Sequence, residues 1–387
     1  MTDRSPQRHR QRHPQLATIG DGRYSAVICL LMGGLGLLSV LAFLFPSYLT
    51  TPDLRAIYDP NLLRTLLGLG LFIGAAFGCF ALYRQAGRRI AWSGMGLIAL
   101  ALLLGGPSVK TGPILDGAPY LGLDWFIIGL LTSGGLFIAL ERLAPFRAEQ
   151  SVFRAGWLHD IKHFALNHCL IGFYLLIANL IVHDYLGWMI VPMVGAFIAD
   201  LPFIVQFFGL LLAVDMLVYG VHRLYHTTDF FWKIHSVHHS TDVMDWLAGS
   251  RFNFLEPIIT RTAGLLVITT LGFEPGPISA YIVFASFHAT WLHANLGWDL
   301  RWMERIGLCT PKFHHWHHAK AEAAINMNYG TYVVWFDRLF GSYYNPDTFP
   351  DGYGVLHDPP PKSLWAQQLH PFVDNAKSVL QEIKSDP

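Results

Sequence analysis

Eleven of the 19 histidines in this 387-residue chain stand between His222 and His318, at spacings that suit metal ligation. The first motif is His222-Arg-Leu-Tyr-His226. It is followed by His235-Ser-Val-His238-His239 and later by His314-His315-Trp316-His317-His318. Residues three and four apart share one face of an α-helix, so an HxxxH on a helix presents two imidazoles and each HxxHH three. The motifs thus offer eight ring nitrogens, from His222, His226, His235, His238, His239, His314, His317 and His318. His293 is the natural ninth, and His288, five residues earlier, a tenth candidate. That number exceeds what one ion accepts and implies two.

Imidazole suits zinc, copper, iron and nickel alike. A structural zinc takes four ligands, usually with cysteine among them. The four cysteines show no paired spacing, and Cys29, Cys79 and Cys169 lie in apolar runs, which leaves no disulfide framework, zinc ribbon or iron-sulfur site. Histidines in this excess suit a redox pair that keeps positions open for oxygen, so the expectation is two iron ions with O2 as co-substrate. His288, Asp215, Asp245, Glu256, Asn295, His315 and Asn328 are expected either to bind metal or to brace a residue that does. Asp242 and Asp337 join them as candidates for holding a second ring nitrogen. Asp215 lies in an apolar run two helical turns before His222, where an ionisable group is by default functional or paired. Arg261, also in an apolar run, reads as a snorkelling side chain. His9, His13, His159, His163, His168, His183, His357 and His370 lack ligand spacing and read as ordinary core or surface residues.

The elements that carry these residues are membrane helices. Hydrophobic residues make up 52% of the chain and Asp, Glu, Lys and Arg only 14%, against roughly 25% charged in a soluble domain. With 27 basic and 27 acidic residues there is no net charge to steer toward nucleic acid, and the 27 Phe, 15 Tyr and 12 Trp exclude low-complexity disorder. A span needs about 20 apolar residues. About eight runs qualify: Ala26 to Phe45, Leu66 to Tyr83, Ile90 to Gly105, Leu121 to Leu140, Phe164 to Val182, Leu201 to Val221, Ile258 to Phe273 and Ile278 to Leu292. The last two are short and joined by a tight Gly272-Phe-Glu-Pro-Gly-Pro turn, as in a hairpin that dips in and returns. Arg4, Arg8, Arg10, Arg12 and Arg23 precede the first run, Arg84, Arg88 and Arg89 follow the second, and Arg142, Arg147, Arg154 and Lys162 follow the fourth. Basic loops resist translocation, so the histidine motifs and both termini are expected on the cytoplasmic side.

From Leu210 to Tyr344 the chain resembles the fatty acid hydroxylase and sterol desaturase family of integral-membrane di-iron enzymes. The resemblance rests, in order, on the HxxxH, the HxxHH followed by Ser240, Arg251-Phe-Asn-Phe-Leu-Glu256, His293-Ala-Asn295, the second HxxHH, Asn328-Tyr-Gly330 and Trp335-Phe-Asp-Arg-Leu-Phe-Gly341. It implies an all-α fold of polytopic membrane helices under a cytosolic, histidine-rich di-metal cap. The implied chemistry is oxygen-dependent hydroxylation or desaturation of a lipid such as a sterol, fatty acyl chain or carotenoid. Asn253 departs from the pattern, standing where many members carry histidine.

Three regions follow: residues 1–115, transmembrane and outside the resemblance; 116–345, the membrane-embedded di-iron domain with its motif core at 210–344; and 346–387, a polar tail with a short helix. The Gly-x-Gly pieces at Gly34, Gly68 and Gly94 lie inside apolar runs and are not dinucleotide loops, so electrons are expected from a separate reductase with a cytochrome or ferredoxin. Gly70, Gly74 and Gly78 repeat a small-xxx-small spacing for close helix approach, within the chain or in a homo-oligomer. An alkylglycerol-type ether-lipid monooxygenase is the nearest alternative activity. A histidine-rich metal carrier or sensor is the alternative of a different class.

Overall fold

The computed structural model describes residues 22–115, 117–298 and 300–373. Among them the regular structure is helical, with only isolated β-bridges and no strand, and the chain divides into two compact units, residues 1–118 and 119–387.

The first unit is a three-helix bundle of α1 (Arg23–Leu44), α2 (Pro60–Tyr83) and α3 (Arg88–Leu103). Its helices approach closely at glycines. A Cβ on Gly94 would stand 2.7 Å from the Leu30 nitrogen, and one on Gly33 would stand 2.6 Å from the Gly94 carbonyl oxygen. Gly74 and Gly78 pack in the same way against Met32 and Cys29 of α1, so part of the small-xxx-small stripe works inside the unit. Gly70 lies further out, with Met32 Sδ at 4.0 Å from its would-be Cβ. Because the clash at Gly94 is with backbone, Gly94→Val is expected to destabilise this unit by about 1–3 kcal/mol, measurable as a lowered melting temperature in detergent.

The second unit holds α4 (Leu123–Leu143), α5 (Trp157–Cys169), α6 (Ile171–Asn179), α7 (Phe203–Thr227), α8 (Asp229–His235), α9 (Leu255–Leu271), α10 (Pro275–His293), α11 (Pro311–His317), α12 (Trp335–Phe340) and α13 (Leu364–Leu369). Five helices are long and apolar enough to cross a membrane: α1, α2, α3 with its 3-10 extension, α4 and α7. Only 11% to 33% of each span is buried in protein, so the remaining apolar surface requires lipid, and the chain is a multi-pass membrane protein. The fifth sequence run is broken. α5 and the Ile171–Tyr185 segment meet at a 49° bend, so this pair is one kinked span or a re-entrant element. The seventh and eighth runs form the hairpin of α9 and α10, too short or too polar to count as spans. Gly272 ends α9 in the left-handed region at φ 65°, and Pro275 starts α10 at its first position. Both arms pack against α7.

The first HxxHH does not form one helix. α8 ends at His235, and a separate turn, His238–Ser240, carries the rest. The described part of the segment after Tyr344, read from sequence as a polar extension, packs onto the helices through buried Tyr353, Gln367 and Gln368.

Candidate metal centre

Four elements bring the histidines together. α7 supplies His222 and His226, the α8 end and following turn supply His235, His238 and His239, the last residue of α10 is His293, and α11 supplies His314 and His317 with His318 just beyond. Thr310 fixes where α11 begins, its hydroxyl accepting from the Phe313 N–H at 3.3 Å, with Pro311 at the first helical position.

The nine rings fall into two groups, His222, His226, His235, His239 and His317 in one and His238, His293, His314 and His318 in the other. Within each group one nitrogen per residue lies within 4.8 Å of all the others. Each HxxHH therefore divides its ligands instead of aiming them one way. His238 leaves its motif for the four-histidine group because the helix ends between it and His235. On α11, His317 faces one group while His314 and His318 face the other.

Ring nitrogens meet nose to nose. His222 Nε2 and His235 Nε2 are 3.0 Å apart, His238 and His293 Nε2 3.2 Å, His293 and His314 Nε2 3.0 Å, and His314 and His318 Nε2 3.1 Å. Two nitrogens bound at right angles, each about 2.1 Å from one ion, would stand about 3.0 Å apart. The Nε2 atoms of His226, His239 and His317 are buried and have no hydrogen-bond partner. Such donors fit a metal and little else.

Five of the nine opposite ring nitrogens are held, while Nδ1 of His314 and of His318 is buried without a hydrogen-bond partner. His222 Nδ1–H donates to the Tyr329 carbonyl at 2.8 Å, His235 to Glu256 Oε1 at 2.8 Å, His238 to the Arg251 carbonyl at 3.1 Å, His293 to the Ala289 carbonyl at 2.8 Å and His317 to the Met327 carbonyl at 2.8 Å. These bonds aim Nε2 at the centre. Of the acidic and amide candidates, only Glu256 touches a clustered ring. Asp215 instead accepts the backbone N–H groups of Thr331, Tyr332 and Val333 at 3.0, 3.1 and 2.8 Å, and Asp337 accepts those of Tyr329 and Gly330 at 2.8 Å each. Both fix the loop whose Tyr329 carbonyl holds His222. Asn328 takes the left-handed φ of 63° that asparagine tolerates and bonds the Phe313 and Tyr344 carbonyls. Asn295 ties the backbone of Arg147, and His315 faces away to bond the Tyr353 hydroxyl at 2.8 Å. Asp245 is paired with Arg154, and Asp242 contacts no clustered ring. His288 joins neither group; it lies among Phe284, Trp291 and Tyr332.

Burial, reinforced by neighbouring imidazoles, pushes the His235, His238, His239, His314, His317 and His318 rings well below their ordinary range. They are neutral at physiological pH, the form in which an imidazole can bind a metal. In the unfolded chain the same rings titrate near about 6.5, so below that pH the unfolded state binds more protons than the fold. The metal-free protein is expected to lose stability progressively as pH falls from about 6.5, checked by denaturation midpoints at pH 7.5 and 5.5.

One support was invisible in the spacing. Asp160, fully buried on α5, pairs with Arg251 and, at 2.5 Å, with Arg154, which also pairs with Asp245 at 2.8 Å. Arg251 further bonds the Ser240 carbonyl at 2.8 Å, so the carbonyl that holds His238 is locked from two sides. Asn253, the departure from the family pattern, donates to the Gln367 and Gln368 carbonyls at 2.8 and 3.0 Å, and Gln367 Oε1 accepts from His163 at 2.8 Å. A sequence signal existed: Asp160, His163 and Asn167 form a polar stripe on one face of α5. Gly249 is a second unrecognised requirement, since a Cβ there would lie 2.7 Å from His293 Nδ1. Gly249→Ala is expected to displace that ring and empty the four-histidine group alone, lowering bound metal toward half the parent value.

Residues 207–342 match the family described as fatty acid hydroxylase. The chain is 28% identical over 238 residues to an ornithine lipid hydroxylase, OlsE, of Rhizobium tropici, covering 58% of this chain and 68% of that protein. It is 30% identical over 162 residues to an alkylglycerol monooxygenase of Danio rerio, covering 41% of this chain and 34% of that one. It is 28% identical over 262 residues to an alternative squalene epoxidase of Phaeodactylum tricornutum, covering 65% and 68%. The chain thus spans about a third of the alkylglycerol monooxygenase it matches. No solved structure matches it. The segment that matches the fatty acid hydroxylase family runs from α7 to just past α12 and contains all nine clustered histidines.

Proposed function

We propose that this protein is a membrane oxygenase that hydroxylates a C–H bond of a lipid, using O2, two histidine-bound iron ions and electrons from a separate donor. The observation that carries this reading is the pair of buried nitrogen-only groups, five imidazoles beside four. Five ligands exceed the four of a structural zinc site, and a six-coordinate ion would keep one position open in the larger group and two in the smaller. When bound, the irons supply the activation of O2. The chain supplies the rest: carbonyls and Glu256 hold five of the rings, those of His222, His235, His238, His293 and His317, in one tautomer, while Phe252, stacked 5.0 Å from His238, and Tyr225, stacked 5.1 Å from His235, shield those two rings.

The names of the relatives, a lipid hydroxylase, an ether-lipid monooxygenase and a squalene epoxidase, support a lipid substrate drawn from the bilayer. Gathering of the ligands into two groups at one end of α7 and α10 favours an enzyme over a carrier, which would string its sites along the spans. Cytoplasmic placement is supported by the basic loop after α4, where Arg154 pairs with Asp245 and Arg147 bonds Asn295 of the same cap. The test is to express the chain in a host grown under 18O2 and compare lipid extracts with those of an empty-vector host. A lipid that gains one labelled oxygen only with the chain supports the proposal; unchanged extracts despite two irons per purified chain contradict it.

A further inference from the structure

α9 is for the most part half-buried. Of its 17 residues, only Arg261 is exposed, and it is the only cation of the helix. Among the described residues Arg261 makes no hydrogen bond or ion pair. The ionisable groups around its guanidinium come from four other elements: Tyr120 before α4, His168 on α5, Tyr174 on α6 and Tyr281 on α10. None is acidic. One turn further, a Cβ on Gly264 would meet nothing within 4 Å, so this face of α9 opens on free space and not on a packed neighbour. An unpaired cation surrounded by phenols at membrane depth is costly, and such residues face cavities and mark substrate paths. Arg261 lies five residues beyond Glu256, the residue that holds His235, about 7.5 Å along the helix axis and about 140° around it, so it stands on a different face of α9, beside Tyr174 and Tyr281.

We infer that Arg261 is the anchor for an anionic group, carboxylate or phosphate, on the lipid that this enzyme oxidises, so that its substrates are acidic lipids and not neutral ones such as sterols. The inference rests on the oxygenase reading above. A guanidinium binds either anion through paired N–H donors, while the open face of α9 leaves room for the attached chain.

The metal-loaded full chain in a neutral detergent tests this by equilibrium binding of radiolabelled oleate, 1-oleoyl-lysophosphatidate and monooleoylglycerol, with inorganic phosphate as competitor. The parent should bind the two acidic lipids roughly tenfold or more tighter than the neutral one, Arg261→Gln should erase that preference, and Arg261→Lys should keep part of it. Metal content, measured on the same samples, should stay at the parent value in both variants, which separates loss of the anchor from loss of fold. A parent without preference, or an Arg261→Gln protein that keeps it, as annular lipid would give, overturns the inference. Inorganic phosphate should compete only at concentrations far above those of the acidic lipids; phosphate that binds as tightly as they do would mark a site for the free anion and overturn it as well. Should Arg261→Gln fail to fold, the parent's preference and the Arg261→Lys protein decide. Oxidation separates the two readings: acidic lipid that binds through Arg261 but never gains labelled oxygen refutes the oxygenase reading alone, whereas neutral lipid oxidised equally by parent and Arg261→Gln refutes the anchor alone.

Discussion

His239→Ala should loosen one of the two metal ions and lose lipid oxidation by on the order of a thousandfold or more, and His314→Ala should do the same to the other ion. The two variants are expected to differ in which ion they loosen. His239 belongs with His222, His226, His235 and His317, whereas His314 belongs with His238, His293 and His318. Removing one nitrogen from the five-histidine group leaves four, enough to retain an altered ion in excess metal. Removing one from the four-histidine group leaves three. His314→Ala should therefore lose its ion more completely than His239→Ala, a difference that iron quantification with Mössbauer spectra of 57Fe-loaded protein resolves. His315→Ala is the control: its ring bonds Tyr353 instead of the centre, so both ions should remain. Equal loss of both ions in His239→Ala and His314→Ala would show a single shared site.

The second large effect is expected away from the histidines. Asp160 is fully buried between Arg154 and Arg251, so Asp160→Ala would leave Arg251 bonded only to Ser240 and would strip Arg154 of one of its two carboxylate partners. Removing one partner from a buried ion pair costs about 3–5 kcal/mol, most of it from the stranded charge. The loss should fall on the segment that ends in the Arg251 carbonyl, the acceptor for His238. Metal in the four-histidine group should become labile to a chelator before the five-histidine group responds. Chelator-release kinetics with a thermal melt on the same sample check this. A melting temperature within a degree of the parent would remove the ion cluster from the support of the centre.

Eight of the nine clustered histidines were legible in the sequence because their spacings repeat the helical period, and a spacing of three or four residues is a local signal; His293, outside the motifs, stood out only as the next candidate between them. The division of each HxxHH between two groups was not legible. In the first motif it depends on α8 ending at His235, and nothing in Ser236-Val237 forbids a continued helix; in the second it depends on α11 lying between the two groups, which no local signal encodes. The membrane character of the first four runs followed from length and hydropathy. The break between α5 and α6 did not, since hydropathy is blind to a 49° bend. Asp215 was singled out by its cost in an apolar helix, but its role, three bonds to the backbone of residues 331–333, needs a contact across more than a hundred residues. The same holds for Asp160 with Arg251 and for Asn253 with Gln367 and Gln368, pairs separated by 91 to 115 positions that no periodicity encodes. The polar tail misled for a simple reason: its composition is that of a solvated extension, yet two glutamines and a tyrosine in it are buried.

The central claim is that two separate sets of imidazoles each hold an ion. Iron K-edge X-ray absorption on the purified, iron-loaded chain, calibrated by metal analysis, addresses it most directly. The expected result is two irons per chain in a first coordination sphere of nitrogen and oxygen with multiple-scattering features of several imidazoles per iron. One iron per chain at saturation, or a sphere with fewer than three imidazoles per iron, would contradict it.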